Sequence, residues 1–131
     1  MANGRPRVAI VDDDLSVRRA LARLLIASSF DARAFESGQA FLDSLPDGPP
    51  DFVVLDLHMP GMNGLDVLAA MADAGVAVPV IMISGHATPE AQARCLAAGA
   101  LAYLGKPLDQ AVFMQAAAAA AGSRAAGHRA G

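Results

Sequence analysis

The chain lacks the features of a secreted, membrane-bound or nucleic-acid-binding protein. A single cysteine, Cys95, excludes an intramolecular disulfide and suits a reducing compartment. No run of about 18 apolar residues is present, and the N-terminus has no apolar signal-peptide segment. The formal net charge of −3 is small and of the wrong sign for direct nucleic-acid binding. We therefore expect a cytoplasmic protein that contacts neither membranes nor nucleic acid.

The length and composition indicate one globular domain. A chain of 131 residues is long enough for one well-formed core and too short for two. Hydrophobic residues make up 54% of it, which argues against intrinsic disorder. The C-terminal part is rich in alanine and then in glycine and arginine. We predict a domain over residues 1–121 and a flexible tail over residues 122–131.

Short apolar runs alternate with amphipathic segments along the chain. The runs predict strands at Val8–Val11, Ala32–Phe35, Phe52–Leu55, Val80–Ile83 and Ala102–Leu104. The segments between and after them predict helices at 15–28, 38–45, 64–74, 89–98 and from Leu108 onward. This alternation predicts an α/β fold, a five-stranded parallel sheet with helices on both faces. Right-handed crossovers and a shared switch point favour the flavodoxin-like strand order 2-1-3-4-5.

Chemically useful side chains follow four of these strands. Asp12 and Asp13 follow the first strand, Asp56 the third, Ser84 the fourth and Lys106 the fifth. Ligands of open α/β sheets bind at the carboxyl ends of the strands, so we expect these side chains to meet. A few carboxylates suit Mg²⁺, and an aspartate beside such a cation can act as a nucleophile towards phosphorus. A lysine and a hydroxyl can then stabilise the phosphoryl oxygens.

Each of these signals is weak by itself. The acidic run Asp12–Asp14 is equally typical of a solvated loop with a helix cap, and Lys106–Pro107 of a simple turn. Their occurrence together at four strand ends is what indicates a site for a divalent cation and a phosphoryl group.

Four motifs resemble those of the receiver domain of bacterial two-component response regulators. They are Val11–Asp14, Leu55–Gly64, Ile83–His86 and Gly105–Pro107, and the similarity extends over roughly residues 6–120. The segments Ser84–His86 and Ser37–Phe41 are most similar to the nitrogen-fixation-regulator subfamily.

The resemblance implies a role for each acidic residue. Asp56 would be the phosphoacceptor. Mg²⁺ would be held by Asp13, Asp56 and the main-chain carbonyl of His58, and Asp12 would act mostly through a metal-bound water. Ser84 would hydrogen-bond the phosphoryl oxygen.

The resemblance also assigns the remaining site and switch residues. Lys106 would be the family lysine, in a bond to Pro107 that is usually cis, and Tyr103 would occupy the aromatic switch position beside Ser84. His58 and His86 would flank the phosphoryl group and tune its hydrolysis, or would be plain exposed loop histidines.

Gly105 departs from the family pattern, in which a larger residue is commoner. This departure predicts a looser lysine loop.

The implied function is a phosphorylation-switched signalling module and not an enzyme. A histidine kinase or a phosphotransfer protein would phosphorylate Asp56, and the face around the helix at 89–98 would dock a partner or form a phosphorylation-dependent homodimer.

The alternatives are an aspartate-nucleophile phosphohydrolase, a degenerate receiver that binds constitutively, and a flavodoxin. The phosphohydrolase hypothesis is weakened because His58 stands where such enzymes place a second aspartate. The flavodoxin hypothesis is weakened because no phosphate loop follows the first strand.

A start at Met1 and the lack of a C-terminal linker favour a stand-alone regulator.

Overall fold

A single parallel sheet, with strand order β2-β1-β3-β4-β5, forms the centre of the computed structural model. The structure describes residues 4–130, with side chains as far as residue 123. The strands are β1 Arg7–Val11, β2 Asp31–Phe35, β3 Phe52–Asp56, β4 Val80–Ser84 and β5 Ala102–Gly105. The helices are α1 Leu15–Ala27, α2 Gly38–Ser44, α3 Gly64–Asp73, α4 Pro89–Ala97 and α5 Gln110–Ala130, with a 3-10 turn at Leu45–Asp47. The predicted fold class and strand order are confirmed.

Every residue of the central strands β3 and β4 is buried. Their side chains alternate between two cores because successive residues of a strand point to opposite faces of the sheet. Val53 and Leu55 pack in a core shared with α2, α3 and α4, whereas Phe52 and Val54 pack in a core shared with α1 and α5. Asp56 is therefore delivered to the sheet edge by a strand that both helical layers hold in place.

Side-chain caps begin the helices that follow the first and third strands. Asp14 caps α1, because its Oδ1 accepts hydrogen bonds from the main-chain N–H of Ser16 at 2.9 Å and of Val17 at 3.4 Å. Asn63 and Asp66 form a reciprocal capping box at the start of α3. Each cap fixes where a helix starts, and so fixes the length of the loop between that helix and the preceding strand.

Helix α5 begins later in the chain than predicted. It begins at Gln110 and not at Leu108, because Asp109 caps it: Oδ1 of Asp109 accepts from the main-chain N–H of Val112 at 3.0 Å. The preceding Lys106–Pro107 bond is cis. The helix continues to Ala130, through most of the segment predicted to be a flexible tail. The side chains of residues 124–130, and the whole of residue 131, lie outside the described residues. The flexibility of the tail over residues 122–131 therefore stays a prediction.

In the part of the chain that the structure describes, no helix, α5 included, is long and apolar enough to cross a membrane.

Close packing beneath Asp56 predicts that Gly64→Ala destabilises the protein. A methyl group at Gly64 would lie 2.9 Å from the main-chain oxygen of Asp56 and 3.0 Å from Cα of Leu57, and backbone atoms cannot move aside cheaply. We expect the free energy of unfolding to fall by about 1–3 kcal/mol, measured by urea denaturation.

Gly122→Ala is the matched control, because a methyl group there meets open space on a helix. Its stability should stay the same or rise by up to about 1 kcal/mol. Equal stability of the Gly64 variant and the wild type would contradict the close approach of α3 to β3.

Candidate functional site

The carboxyl ends of β1, β3, β4 and β5 bring the predicted site residues together. Asp12, Asp56 and Ser84 are buried, with 0%, 3% and 0% of their surfaces exposed, whereas Asp13 is exposed. One carboxylate oxygen each from Asp12, Asp13 and Asp56 lies within 4.8 Å of the other two. Three oxygen ligands at this spacing form a group that fits a hard divalent cation.

Lys106 is the cation that the protein itself places among these carboxylates. Its Nζ lies 2.9 Å from Oδ2 of Asp12 and 3.5 Å from Oδ1 of Asp56. The main-chain N–H of Lys106 donates to the carbonyl oxygen of Ser84 at 2.7 Å, which ties the loop after β5 to the end of β4. This anchor directs the lysine side chain back across the sheet edge.

Burial and neighbouring charges both shift the pKa values of Asp56 and Lys106. Burial raises the pKa of Asp56 above its ordinary value of 3.8, and the charge of Asp12 raises it further; Lys106 and the N–H of His58 lower it but do not prevail. Burial by itself would lower the pKa of Lys106, but the hydrogen bond and charge of Asp12 and the charge of Asp56 outweigh it and raise that pKa. The charge of Lys106 therefore only partly offsets the burial of Asp56, whereas the two carboxylates favour the protonated, charged form of the lysine.

The three aspartates differ in how far the protein already occupies their oxygens. Oδ1 of Asp12 accepts from the N–H of Asp14 and Oδ2 from Lys106, each at 2.9 Å. Oδ1 of Asp56 accepts from the N–H of His58 at 3.3 Å, a long bond, in addition to its contact with Lys106. Asp13 lies at the surface beside them. Asp13 and Asp56 thus have more capacity for a further ligand than Asp12 has.

Ser84 and Tyr103 lie on the same face of the sheet. Ser84 pairs with Gly105, and Met82, two residues earlier, pairs with Tyr103. The Ser84 hydroxyl accepts from the N–H of His86 at 3.1 Å. The Tyr103 hydroxyl is buried and has no hydrogen-bond partner among the described residues. The tip of Tyr103 therefore lies inside the protein.

His58 and His86 both lie at the exposed mouth of the site. Their ring centroids are 5.7 Å apart, with an edge-to-face angle of 79°. The structure therefore brings the two flanking histidines of the sequence analysis into contact. A role in hydrolysis, and the carbonyl of His58 as a metal ligand, stay predictions.

That Gly105 loosens the lysine loop stays a prediction, and the structure shows which residue lies against the glycine. A methyl group at Gly105 would lie 3.1 Å from Cβ of Ala87, so the glycine allows the β4–α4 loop to lie close against β5. The sequence does not indicate that Ala87 lies beside Gly105. A second residue that the sequence analysis did not identify is Arg18, whose Nη1 donates to the main-chain oxygen of Asp12 at 2.8 Å. Only the spacing of Arg18 from Asp12 could have hinted at that contact.

The chain resembles known proteins both in its sequence and in its structure. The response regulator receiver domain family matches residues 8–118. The transcriptional regulatory protein FixJ of Rhizobium meliloti (strain 1021) is 35% identical over 109 residues, which are 83% of this chain and 53% of that protein. The DNA-binding transcriptional regulator NtrC of Klebsiella pneumoniae is 39% identical over 100 residues, 76% of this chain and 21% of that protein. This chain thus spans about half the length of the first relative and about a fifth of the second.

Solved structures agree with this result. A response regulator receiver protein from Burkholderia phymatum is 45% identical, with a TM-score of 0.81 and coverage of 90% of this chain and 96% of that one. The structure described as FixJ-N is 34% identical, with a TM-score of 0.82 and coverage of 88% and 93%. With a match over most of its length and the acidic edge in place, the chain belongs to the response regulator receiver domain family.

Proposed function

We propose that this chain is a cytoplasmic phosphoacceptor module of a two-component system. It accepts a phosphoryl group from a histidine kinase or a phosphotransfer protein on Asp56 and then controls a partner. The observation that carries the proposal is the meeting of Asp56 with Lys106, Ser84 and two further aspartates at one sheet edge. Family membership makes a histidine kinase the general class of partner.

The geometry supports transfer to a carboxylate oxygen. In this step an Asp56 oxygen forms a bond to phosphorus while the bond between phosphorus and the donor's nitrogen breaks. Lys106, 3.5 Å from Asp56, can donate to the phosphoryl oxygens, and so can the hydroxyl of Ser84 once it turns from the N–H of His86. The buried end of β3 keeps the nucleophile in a fixed position.

We propose Mg²⁺ as the cofactor. Asp13 and Asp56 would hold it together with the main-chain carbonyl of His58, while Asp12, whose two oxygens already accept hydrogen bonds, would act through a water. When bound, the cation neutralises the clustered carboxylates and the charge of the transferred group.

The switch is proposed to run from Ser84 to the α4–β5 face. Of the nine residues of α4, only Cys95 is buried, so this helix is weakly held. A phosphoryl group that draws the Ser84 hydroxyl inward changes the space around Tyr103, whose hydroxyl is buried without a partner in the described residues. Movement there would expose a docking surface for a partner or for a second phosphorylated copy.

Beryllofluoride, a phosphoryl mimic, is expected to change the face beyond the site itself. Hydrogen exchange should be altered between Ala87 and Leu108, because α4 and β5 are coupled to Ser84 through the β4–α4 loop. Exchange measured by mass spectrometry with and without the mimic tests this. Changes confined to the loops around Asp56 would mean that the switch does not run through α4.

Asp56 is expected to be the phosphorylated residue. Incubation with acetyl phosphate and Mg²⁺ should add one phosphoryl group, located by mass spectrometry, and Asp56→Asn should abolish it. Asp73→Asn is the control, because Asp73 is an exposed carboxylate at the end of α3. Undiminished labelling of Asp56→Asn would overturn the assignment.

Asp13→Asn is expected to remove the response to Mg²⁺. At a Mg²⁺ concentration of about 100 times Kd, the wild type should gain about 2.7 kcal/mol of unfolding free energy, because the cation binds the folded state. The variant should show no gain, and its metal-free stability should be equal or higher, because the charge of Asp13 adds to the repulsion that raises the pKa of Asp56. Urea denaturation with Mg²⁺ or with a chelator measures both effects, and a full response in the variant would refute the site.

A further inference from the structure

Asp12 is held by four hydrogen bonds from four parts of the chain. Its N–H donates to the carbonyl of Phe35 at 3.2 Å, and its two carboxylate oxygens accept from Asp14 and Lys106. The fourth bond comes from Arg18, whose Nη1 donates to the main-chain oxygen of Asp12 at 2.8 Å. The residue is fully buried, so each of these bonds replaces water that cannot reach it.

The Arg18 bond acts on the peptide unit that joins Asp12 to Asp13. Because a peptide unit is planar, fixing its carbonyl also fixes the direction of the following N–H and the starting point of the next residue. The other side of Asp13 is fixed as well, since Asp14 caps α1 and its Oδ1 accepts a hydrogen bond from the hydroxyl of Ser16 at 2.7 Å. An exposed aspartate is thereby held between two anchored neighbours, with an oxygen within 4.8 Å of those of Asp12 and Asp56.

We propose that Arg18 is a positioning residue, which orients the Asp12–Asp13 peptide so that the Asp13 carboxylate faces the cation site. The inference rests on the proposed function in so far as the ligand is a divalent cation. Arg18 acts here through its hydrogen bond and not through its charge. Its charge alone would oppose cation binding, because like charges repel, and so the two effects have opposite signs.

The test compares two arginines of the same helix. Arg18→Met removes the bond and one positive charge, whereas Arg19→Met removes one positive charge from an exposed position that makes none of the described hydrogen bonds to the loop. Methionine is a good helix former, so both variants should fold. Arg18→Gln, whose side chain is shorter than that of arginine, is a second variant with the same expected result.

Mg²⁺ affinity is measured by isothermal titration calorimetry. We expect Arg18→Met to weaken binding by about 10-fold, as loss of groups that orient metal ligands does, and Arg19→Met to leave it within about twofold of the wild type. Unchanged or tighter binding in Arg18→Met, or an equal loss in both variants, would overturn the proposal.

A metal-free readout separates this inference from the proposed function. The residual dipolar coupling of the Asp13 N–H reports the orientation of the Asp12–Asp13 peptide in solution. It should change in Arg18→Met and stay constant in Arg19→Met; an unchanged coupling in both variants would overturn the positioning role. If the wild type binds no Mg²⁺, the proposed cofactor fails, and the coupling alone decides whether Arg18 orients the peptide.

Discussion

Lys106 forms ion pairs with two carboxylates, those of Asp12 and Asp56, which would otherwise repel each other at the end of the sheet. This lysine bonds Asp12, 94 residues away in the chain, and lies 3.5 Å from Asp56. Two buried carboxylates at adjacent strand ends are costly to desolvate, and a buried ion pair seldom repays that cost in stability. Removing the lysine would leave two buried charges without a cation. The arrangement is therefore better explained by chemistry at this edge than by stability of the fold.

The charge at this edge remains unbalanced after the lysine is counted. Three carboxylates and one ammonium group sum to −2, which is the charge that one divalent cation neutralises. An incoming phosphoryl group would bring further negative charge and would compete with Asp12 for Lys106. In the proposed function, the strength of the Lys106–Asp12 bond would set how readily the lysine turns towards a phosphorylated Asp56. Through the N–H of Lys106 and the carbonyl of Ser84, the same residue is tied to the strand that leads into the β4–α4 loop.

The sequence predicts the fold and the meeting of the site residues because both follow from short-range patterns. Apolar runs that end in acid, hydroxyl or lysine define buried strands, and a parallel sheet brings their ends to one edge. The hydrogen bonds among those ends are not predictable in this way. Which oxygen Lys106 bonds, and the reach of Arg18 back to the carbonyl of Asp12, depend on rotamers and loop geometry. The start of α5 was misplaced for a related reason, since Pro107 and Asp109 are both good signals of a helix start.

Gly105, where the chain departs from the family pattern, shows how the effect of a missing side chain depends on its neighbours in the fold. A missing side chain on the strand that leads to the lysine predicts a loose loop when the strand is considered alone. In the folded chain the space is used by Ala87, so the absence of a side chain brings the β4–α4 loop against β5. That loop begins directly after Ser84 and carries His86, whose N–H holds the Ser84 hydroxyl. A larger residue at Gly105 would press on this loop, and the serine that would have to turn towards a phosphoryl group lies at its root. In the proposed switch, the packing of Gly105 against Ala87 would therefore act on Ser84 together with the charge at Asp56.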